Sequence, residues 1–393
     1  MSLDIRAVQA ALRAEGLDGW LLYDFRGSNP VAQRLAGLDG GGHMATRRWF
    51  YLIPAAGEPR ALVHKIESRT LAHLPGETTR YAGRTELEAG LAGILRGTGR
   101  VAMEYSPLCA IPYVSRVDAG TVELVRSQGV EVATSADLIQ QFEAVWSAAA
   151  FQSHHDAAER LYRVKDRAFA AIAARLRAGQ PTTEYDIQSL MLAWFDEEGL
   201  ETDSPPIVAA QENAGDPHYQ PTAARSRAIT ADNVVLLDLW GKTAAPGAVF
   251  ADISWMGYTG RDVPVAVTSA FTAARDARDA AVSLIESAAA SGRPVRGCEA
   301  DRAARAVLES AGYGGAILHR TGHSLGEQIH GNGAHLDDYE TRDERRLLPG
   351  TGFTIEPGLY FDTFGVRTEI NVAWGPTGPE VTGPRQMAVV PLV

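Results

Sequence analysis

Cysteine is scarce: Cys109 and Cys298 are the only two, far apart in the chain, so no disulfide framework organises the fold. Basic residues are in deficit, with 37 Lys and Arg against 48 Asp and Glu and a formal net charge of −11. No Lys/Arg cluster offsets that balance, which argues against a nucleic-acid groove or an anionic membrane surface as partner. No apolar run approaches the length that spans a bilayer. The opening stretch MSLDIRAVQAALRAEG reads as an amphipathic helix with acidic residues, not as a signal peptide. A nucleotide-binding glycine pattern is also missing: GLDGGGH at 37–43 follows no strand and opens no helix, and reads as a flexible loop. The expectation is a reduced, soluble, cytoplasmic protein. Its 393 residues, 45% of them hydrophobic, are enough for two domains with cores of their own.

What is present begins with alternating helical and strand patterns over residues 1 to about 145. A helix at 3–15 leads to the strand WLLYD, and RGSNP then caps a helix around 31–37. RRWFYLIP and ALVHKI flank AAGEPR, a hairpin-type turn. Helical 86–96, the strand VAMEY, a helix at 117–128, the strand EVATS and a helix opening at 136 complete a small α/β domain of mixed sheet type. The long helical stretch 147–178 marks a boundary, giving domains of 1–146 and 147–393. His154 and His155 stand together in that helix. Adjacent helical residues point about 100° apart, so they do not readily chelate one ion and read as exposed polar residues.

The second region carries an internal repeat. Gly179-Gln-Pro181 opens a helix ending at Gly199, and Gly292-Arg-Pro294 opens another ending at Gly312. Each copy has a polar first turn, an amphipathic body and a glycine suited to the C′ position. A His-bearing stretch follows each, DPHYQ with His218 and HRTGHSLGEQIH with His323 and His330. Two similar halves that both contribute histidines imply a pseudo-symmetric domain with a site between the halves.

Asp238 and Asp252 lie in facing apolar runs, VVLLDLW and AVFADISWM. A bare carboxylate in apolar surroundings takes up a proton or finds a partner, and two on neighbouring strands repel unless a cation intervenes. The alternative for each is a strand-end residue satisfied by backbone donors. Glu356, in FTIEPGLYF, reads as a strand residue running into a Pro-Gly turn, and Glu369, in GVRTEINVAW, as mid-strand. Glutamate is disfavoured in a buried strand unless paired, so the alternative is a solvent-facing position. Taken with His323, these four carboxylates make an oxygen-rich set suited to Mn, Co or Zn. Four negative charges balance two divalent ions, and five side chains serve two metals only if some carboxylates bridge.

The series Asp238, Asp252, His323, Glu356, Glu369, with DLW…ADIS, GHSLGEQIH, TIEPGLY and VRTE, resembles the pita-bread metallopeptidases: methionyl aminopeptidase, aminopeptidase P and prolidase. The likeness covers about 150–393, and the preceding domain resembles the creatinase-type N-terminal domain of the proline-specific members. It implies an α+β fold, with a pseudo-symmetric pita-bread domain at 147–393 behind a smaller α/β domain at 1–146. It also implies two divalent ions, Mn first and Co or Zn as alternatives. Asp238 would chelate one metal, Asp252 and Glu369 would bridge both, and His323 and Glu356 would complete the other. Between them the ions would turn a bridging water into hydroxide near neutral pH.

The same resemblance implies a short Xaa-Pro peptide as substrate and a homodimer as the working unit. His218 matches a histidine near the scissile bond, and His330 a second catalytic histidine that stabilises the tetrahedral intermediate or binds substrate. Glu356 is the proton shuttle to the proline nitrogen. Arg367 matches an arginine beside the site. Arg342 matches in position an arginine that grips the substrate carboxylate, a solvated charged loop being the alternative. Arg47 or Arg48 could act from a partner's N-terminal domain, structural salt bridges being the alternative. An Xaa-Pro dipeptidase is the expected activity, with aminopeptidase P on longer peptides as runner-up. A metal-free creatinase-like amidinohydrolase or an inactive binding protein is the remote alternative. Two departures from the family concern the pocket: TAAPGA at 243–248 reads as an insertion, and Ile-Ser-Trp follows Asp252 where Thr-Arg is common.

Overall fold

The computed structural model describes residues 3–40 and 45–393. The chain divides into two compact units, Met1–Phe142 and Glu143–Val393. Part of the glycine-rich loop, Gly41 to His43, lies outside the described residues. Among them, no helix is long and apolar enough to cross a membrane.

The first unit runs α1 (Ile5–Ala14), β1 (Gly19–Asp24), α2 (Pro30–Leu35), β2 (Trp49–Pro54), β3 (Arg60–His64), β4 (Glu77–Tyr81), α3 (Arg84–Ile94), β5 (Arg100–Met103), α4 (Ala119–Arg126), β6 (Glu131–Thr134) and α5 (Ala136–Ile139). Its six strands form one mixed sheet in the order β4-β3-β2-β1-β5-β6. Side chains alternate across a strand, and β1 buries both of its faces. Trp20 and Leu22 pack with α1 and α2, and Leu21 and Tyr23 pack with α3 and α4. Strand β4 gave no sequence signal, because ETTRY is almost wholly exposed and has no apolar alternation.

The second unit opens with α6 (Ala148–Arg177) and α7 (Glu184–Glu198), then β7 (Leu200–Glu201), β8 (Ile207–Ala210), β9 (Val234–Thr243) and β10 (Ala251–Tyr258). The second helix pair, α8 (Val265–Ser291) and α9 (Gly297–Ser310), precedes β11 (Ser324–Leu325), β12 (Gly352–Ile355), β13 (Gly358–Tyr360), β14 (Gly365–Arg367), β15 (Ile370–Gly375), β16 (Gly378–Thr382) and β17 (Val390–Pro391). The two glycine-terminated helices of the repeat are α7 and α9. Thr183 and Asp186 form a capping box on α7, and Gly199 closes it in the left-handed conformation at φ 65°, which glycine adopts without steric cost.

Strands β9 and β10 pair antiparallel, with Ser254 opposite Asp238 and Asp252 opposite Trp240. Odd-numbered residues of this ribbon, Leu237, Leu239, Ile253 and Trp255, pack with α6 and α7. The even-numbered Leu236 and Met256 face a core built from α8, α9, β12 and β15. Asp238, Asp252 and Ser254 share that even face. Period-two alternation thus brings both aspartates to the side where the second sheet, β11-β12-β15-β16, also packs.

One local expectation is overturned. His154 is fully buried, not exposed. Its Nδ1 lies 2.8 Å from the Phe250 carbonyl and its Nε2 3.2 Å from Thr382 Oγ1, and its ring rests 4.9 Å from Trp146. Burial lowers its pKa to about 4, so the ring is a neutral packing element on the inner face of α6. His155, half-buried, does not join it in any metal-ligating cluster of the described residues.

Candidate metal centre

Two strands and three strand ends or breaks of the second unit deliver the acids and the imidazole. Asp238 and Asp252 come from the β9–β10 ribbon. His323 stands one residue before β11, where its N–H donates to Thr354 Oγ1 at 2.9 Å and its carbonyl accepts the Thr354 N–H at 2.8 Å. Gly322 makes this close approach possible: a Cβ there would run into the Thr354 carbonyl oxygen. Glu356 follows β12 directly, its N–H donating to the Thr321 carbonyl at 2.7 Å. Glu369 is not mid-strand as the sequence suggested. It occupies the break between β14 and β15 and is 1% exposed. Leaving the strand ladder lets its carboxylate enter the space between the sheets.

Ligand atoms of Asp252, His323 and Glu369 all lie within 4.8 Å of one another, and all three residues are buried. His323 Nε2 is 3.4 Å from Asp252 Oδ2 and 3.5 Å from Glu356 Oε1. Ser254 Oγ ties in the remaining acids, 2.9 Å from Asp238 Oδ1 and 2.7 Å from Glu369 Oε2. The structure therefore brings Asp238, Asp252, His323, Glu356 and Glu369 together.

The electrostatics are those of a cluster short of positive charge. Burial raises the pKa of Asp252, and the neighbouring Asp238 and Glu356 raise it further. Burial and then Asp252, Glu356 and Asp238 do the same to Glu369. Burial also works to raise Glu356, but His323, His319, Arg367 and Arg320 outweigh it and hold this carboxyl below its ordinary range. His323 is pushed down, mainly by burial and against the pull of Glu356, which eases loss of its proton to the neutral form that binds metals. Asp252 Oδ1 and Glu369 Oε1 are buried with no hydrogen-bond partner. A buried polar atom left unpaired costs about 1–3 kcal/mol. A divalent cation between these oxygens removes that cost and the mutual repulsion together, so the residues present fit such an ion.

Arg367 partly compensates. Its Nη2 pairs closely with Asp238 Oδ2, its Nε donates to Ser254 Oγ at 2.8 Å and its Nη1 to Tyr360 Oη at 3.1 Å. His319 Nε2 lies 2.6 Å from the same Tyr360 oxygen. Burial drives Tyr360 up to about 12, so it stays a phenol. Arg367, expected beside the site, is 5% exposed, and its donors serve Asp238, Ser254 and Tyr360. Ser254 and Tyr360 were missed at the sequence level. Ser254 could have been found from the two-residue spacing that puts it on the face of Asp252.

The other expected residues fall into separate places. The His330 ring stands edge-on to His323 at 4.5 Å. The surrounding protein and then His323 and Arg320 lower its pKa to about 4. His218 is exposed, its N–H donating to Asp216 Oδ1, and its ring makes no hydrogen bond or ion pair with the five clustered residues. Arg342 pairs with Glu344 at 2.9 Å on the surface. The loop around it is not simply solvated: Asp343 and Arg345 form a buried ion pair at 2.6 Å, and Asp337 accepts three backbone N–H groups. In the first unit Arg47 bonds Thr46, while Arg48 lines a cleft of about 620 Å³ beside Tyr23 and Tyr81.

Comparison with known proteins adds family to geometry. Residues 156–374 match metallopeptidase family M24. The probable dipeptidase PepE of Mycobacterium tuberculosis is 25% identical over 351 residues, covering 87% of this chain and 85% of that protein. An Xaa-Pro dipeptidase from Lactobacillus helveticus is 30% identical over 200 residues, 50% of this chain and 47% of that one. The crystal structure of the dipeptidase PepE from Mycobacterium ulcerans shares the fold at a TM-score of 0.68 and 24% identity, covering 99% of this chain and 96% of the other.

Proposed function

Since the chain belongs to metallopeptidase family M24 and has the pita-bread fold, we propose that it is a prolidase-type exopeptidase that cleaves Xaa-Pro dipeptides with two divalent ions, manganese first among them. The observation that carries the proposal is the buried trio Asp252, His323 and Glu369, with ligand atoms within 4.8 Å and two carboxylate oxygens lacking any partner. Asp238, Asp252, His323, Glu356 and Glu369 would hold the ions. When bound, they supply a Lewis acid for the scissile carbonyl and acidify a water molecule.

The chain's own groups do the rest. Arg367 and Ser254 fix the orientation of Asp238 and Glu369 from behind, a role that usually tunes metal sites strongly. His330 is neutral above about pH 4, so it offers one ring N–H to the oxygen that gains charge as water attacks the carbonyl carbon. Glu356 is ionised and accepts a proton from the attacking water. It returns that proton to the proline nitrogen as the C–N bond breaks. His218 would meet the substrate from its exposed loop. With Arg367 committed to Asp238, the proline carboxylate falls to Arg342, or to Arg48 acting from a second copy of the chain. A charge-assisted guanidinium contact of this kind marks a dipeptidase.

The test is hydrolysis of Ala-Pro against Ala-Pro-Ala by the metal-loaded protein, with and without a chelator. Turnover of the dipeptide that a chelator abolishes and Mn²⁺ restores is the expected result. Faster turnover of the tripeptide would replace the dipeptidase by an aminopeptidase, and activity indifferent to chelation would overturn the metal-dependent reading.

A further inference from the structure

Beside the metal centre lies a cleft of about 520 Å³, walled by residues 201–203, Lys242, Phe250 and 327–330. His330 joins it to the centre through its 4.5 Å contact with His323. Three of the wall residues are acids, Glu201, Asp203 and Glu327. The single lysine offsets only one of the three; its Nζ donates to the Glu327 carbonyl oxygen at 2.7 Å and sits 5.1 Å above the Phe250 ring.

Asp203 differs from the other two acids in being anchored. Its Oδ1 accepts the Trp240 indole N–H at 2.7 Å, and Trp240 is the direct cross-strand partner of Asp252. Directly opposed residues of an antiparallel pair project from the same face. The indole therefore stations the Asp203 carboxylate on the face of the ribbon that carries Asp252. Only one oxygen is used by Trp240, and the other has no hydrogen-bond or ion-pair partner among the described residues. Phe250 and Ile329 give the same cleft an apolar wall. A negative end and an apolar wall suit a lysyl or arginyl side chain, which lays its methylene stem on apolar surface and keeps its head on a carboxylate.

We infer that Asp203 is a specificity residue of the proposed peptidase, receiving the cationic side chain of the substrate's N-terminal residue. Basic Xaa-Pro dipeptides are then cleaved in preference to neutral ones, and acidic ones least. The inference rests on the peptidase reading of the neighbouring centre.

Its test compares kcat/KM for Lys-Pro, Leu-Pro and Glu-Pro in the metal-loaded full-length protein, its Asp203→Asn variant and its Asp203→Lys variant. The asparagine keeps an acceptor for Trp240 and removes only the charge. Expected is a ratio of Lys-Pro to Leu-Pro of about fivefold, the size of a well-placed but solvent-accessible ion pair. The ratio falls to near one in Asp203→Asn, and Asp203→Lys places Glu-Pro above Lys-Pro. A ratio near one in the parent protein, or one that survives Asp203→Asn, overturns the inference. Calorimetric binding of the same three dipeptides keeps the test independent of turnover. If none is hydrolysed, the peptidase reading falls, while tighter binding of Lys-Pro that Asp203→Asn abolishes still supports Asp203 and equal binding still refutes it.

Discussion

Glu104 in the first unit and the Asp252–Glu369 pair in the second are all buried carboxylates in apolar strand surroundings, and burial raises the pKa of each. Their hydrogen bonds separate them. Glu104 Oε1 takes the Trp20 indole N–H at 2.6 Å and the Ser135 hydroxyl at 3.1 Å, and its Oε2 takes Asn29 Nδ2 at 2.7 Å. Asp252 Oδ1 and Glu369 Oε1 take nothing. The contrast is one of role, not of unit. Glu184, fully buried in the second unit, has the Ala210 and Arg227 N–H groups, Asn213 and Tyr219 around it. A buried acid with all its donors supplied ties strands and loops together. One denied donors at the same depth is kept for a cation.

The sharpest way to break that contrast is to neutralise one member of each kind. Asp252→Asn removes a ligand and relieves repulsion in the metal-free cluster. Activity on an Xaa-Pro dipeptide is expected to fall at least a thousandfold, on the order of losing a principal catalytic group, while the denaturation midpoint of the metal-free protein holds or rises. Glu104→Ala strands three buried donors and leaves a cavity, so it should cost about 3 kcal/mol of stability. Activity per folded molecule should stay the same. Urea unfolding alongside kcat/KM decides the matter: loss of specific activity in Glu104→Ala, or unfolding of Asp252→Asn, would erase the distinction.

Why the sequence shows one side of this contrast and not the other follows from what each depends on. The ribbon aspartates are legible because an acid interrupting VVLLDLW or AVFADISWM stands out against period-two apolar strands. The helices of the repeat are legible from their glycine and proline punctuation. Glu104 sits in VAMEY, which by pattern is no different. Its role is set by Trp20, Asn29 and Ser135, up to 84 residues distant in the chain. His154 misled for the same reason, since polarity says nothing of a carbonyl waiting 96 residues away. The resemblance places Arg367 beside the site, two residues before Glu369. Only tertiary packing shows its guanidinium already divided among Asp238, Ser254 and Tyr360.

A smaller effect tests the layer behind the ligands. Ser254 Oγ meets Asp238, Glu369 and Arg367 at once, yet it has a single proton to donate. With a proton on Glu369 the arrangement closes: Glu369 donates to Ser254, Ser254 to Asp238, and Arg367 completes it. Ser254→Ala should therefore loosen the orientation of two ligands without removing either. Metal affinity and kcat/KM are expected to drop about tenfold, within the range for residues that orient metal ligands. An alanine variant with parental metal affinity by competition titration would show that Ser254 only fills space.

The smallest expected effect is the most discriminating, because it sets pH against metal. Glu104, Asp252 and Glu369 all have folded pKa values above their unfolded ones, so the folded state holds protons that the unfolded chain releases. Their favourable contribution is complete below the ordinary carboxylate range and is lost as pH rises through the folded values. The contribution of these three carboxyls should accordingly decline from pH 5 towards pH 8, against the opposite trend set by the buried neutral His154, His323 and His330, so it is read as the difference in urea midpoint between the metal-free protein and its variants neutralised at those carboxyls. A divalent cation replaces the protons on Asp252 and Glu369 but has no access to Glu104, whose oxygens are already filled. Saturating Mn²⁺ should then flatten the decline only in part, and Glu104→Gln should remove the remainder. If Mn²⁺ alone abolishes the whole slope, Glu104 is already ionised in the folded protein, and its three donors outweigh its burial.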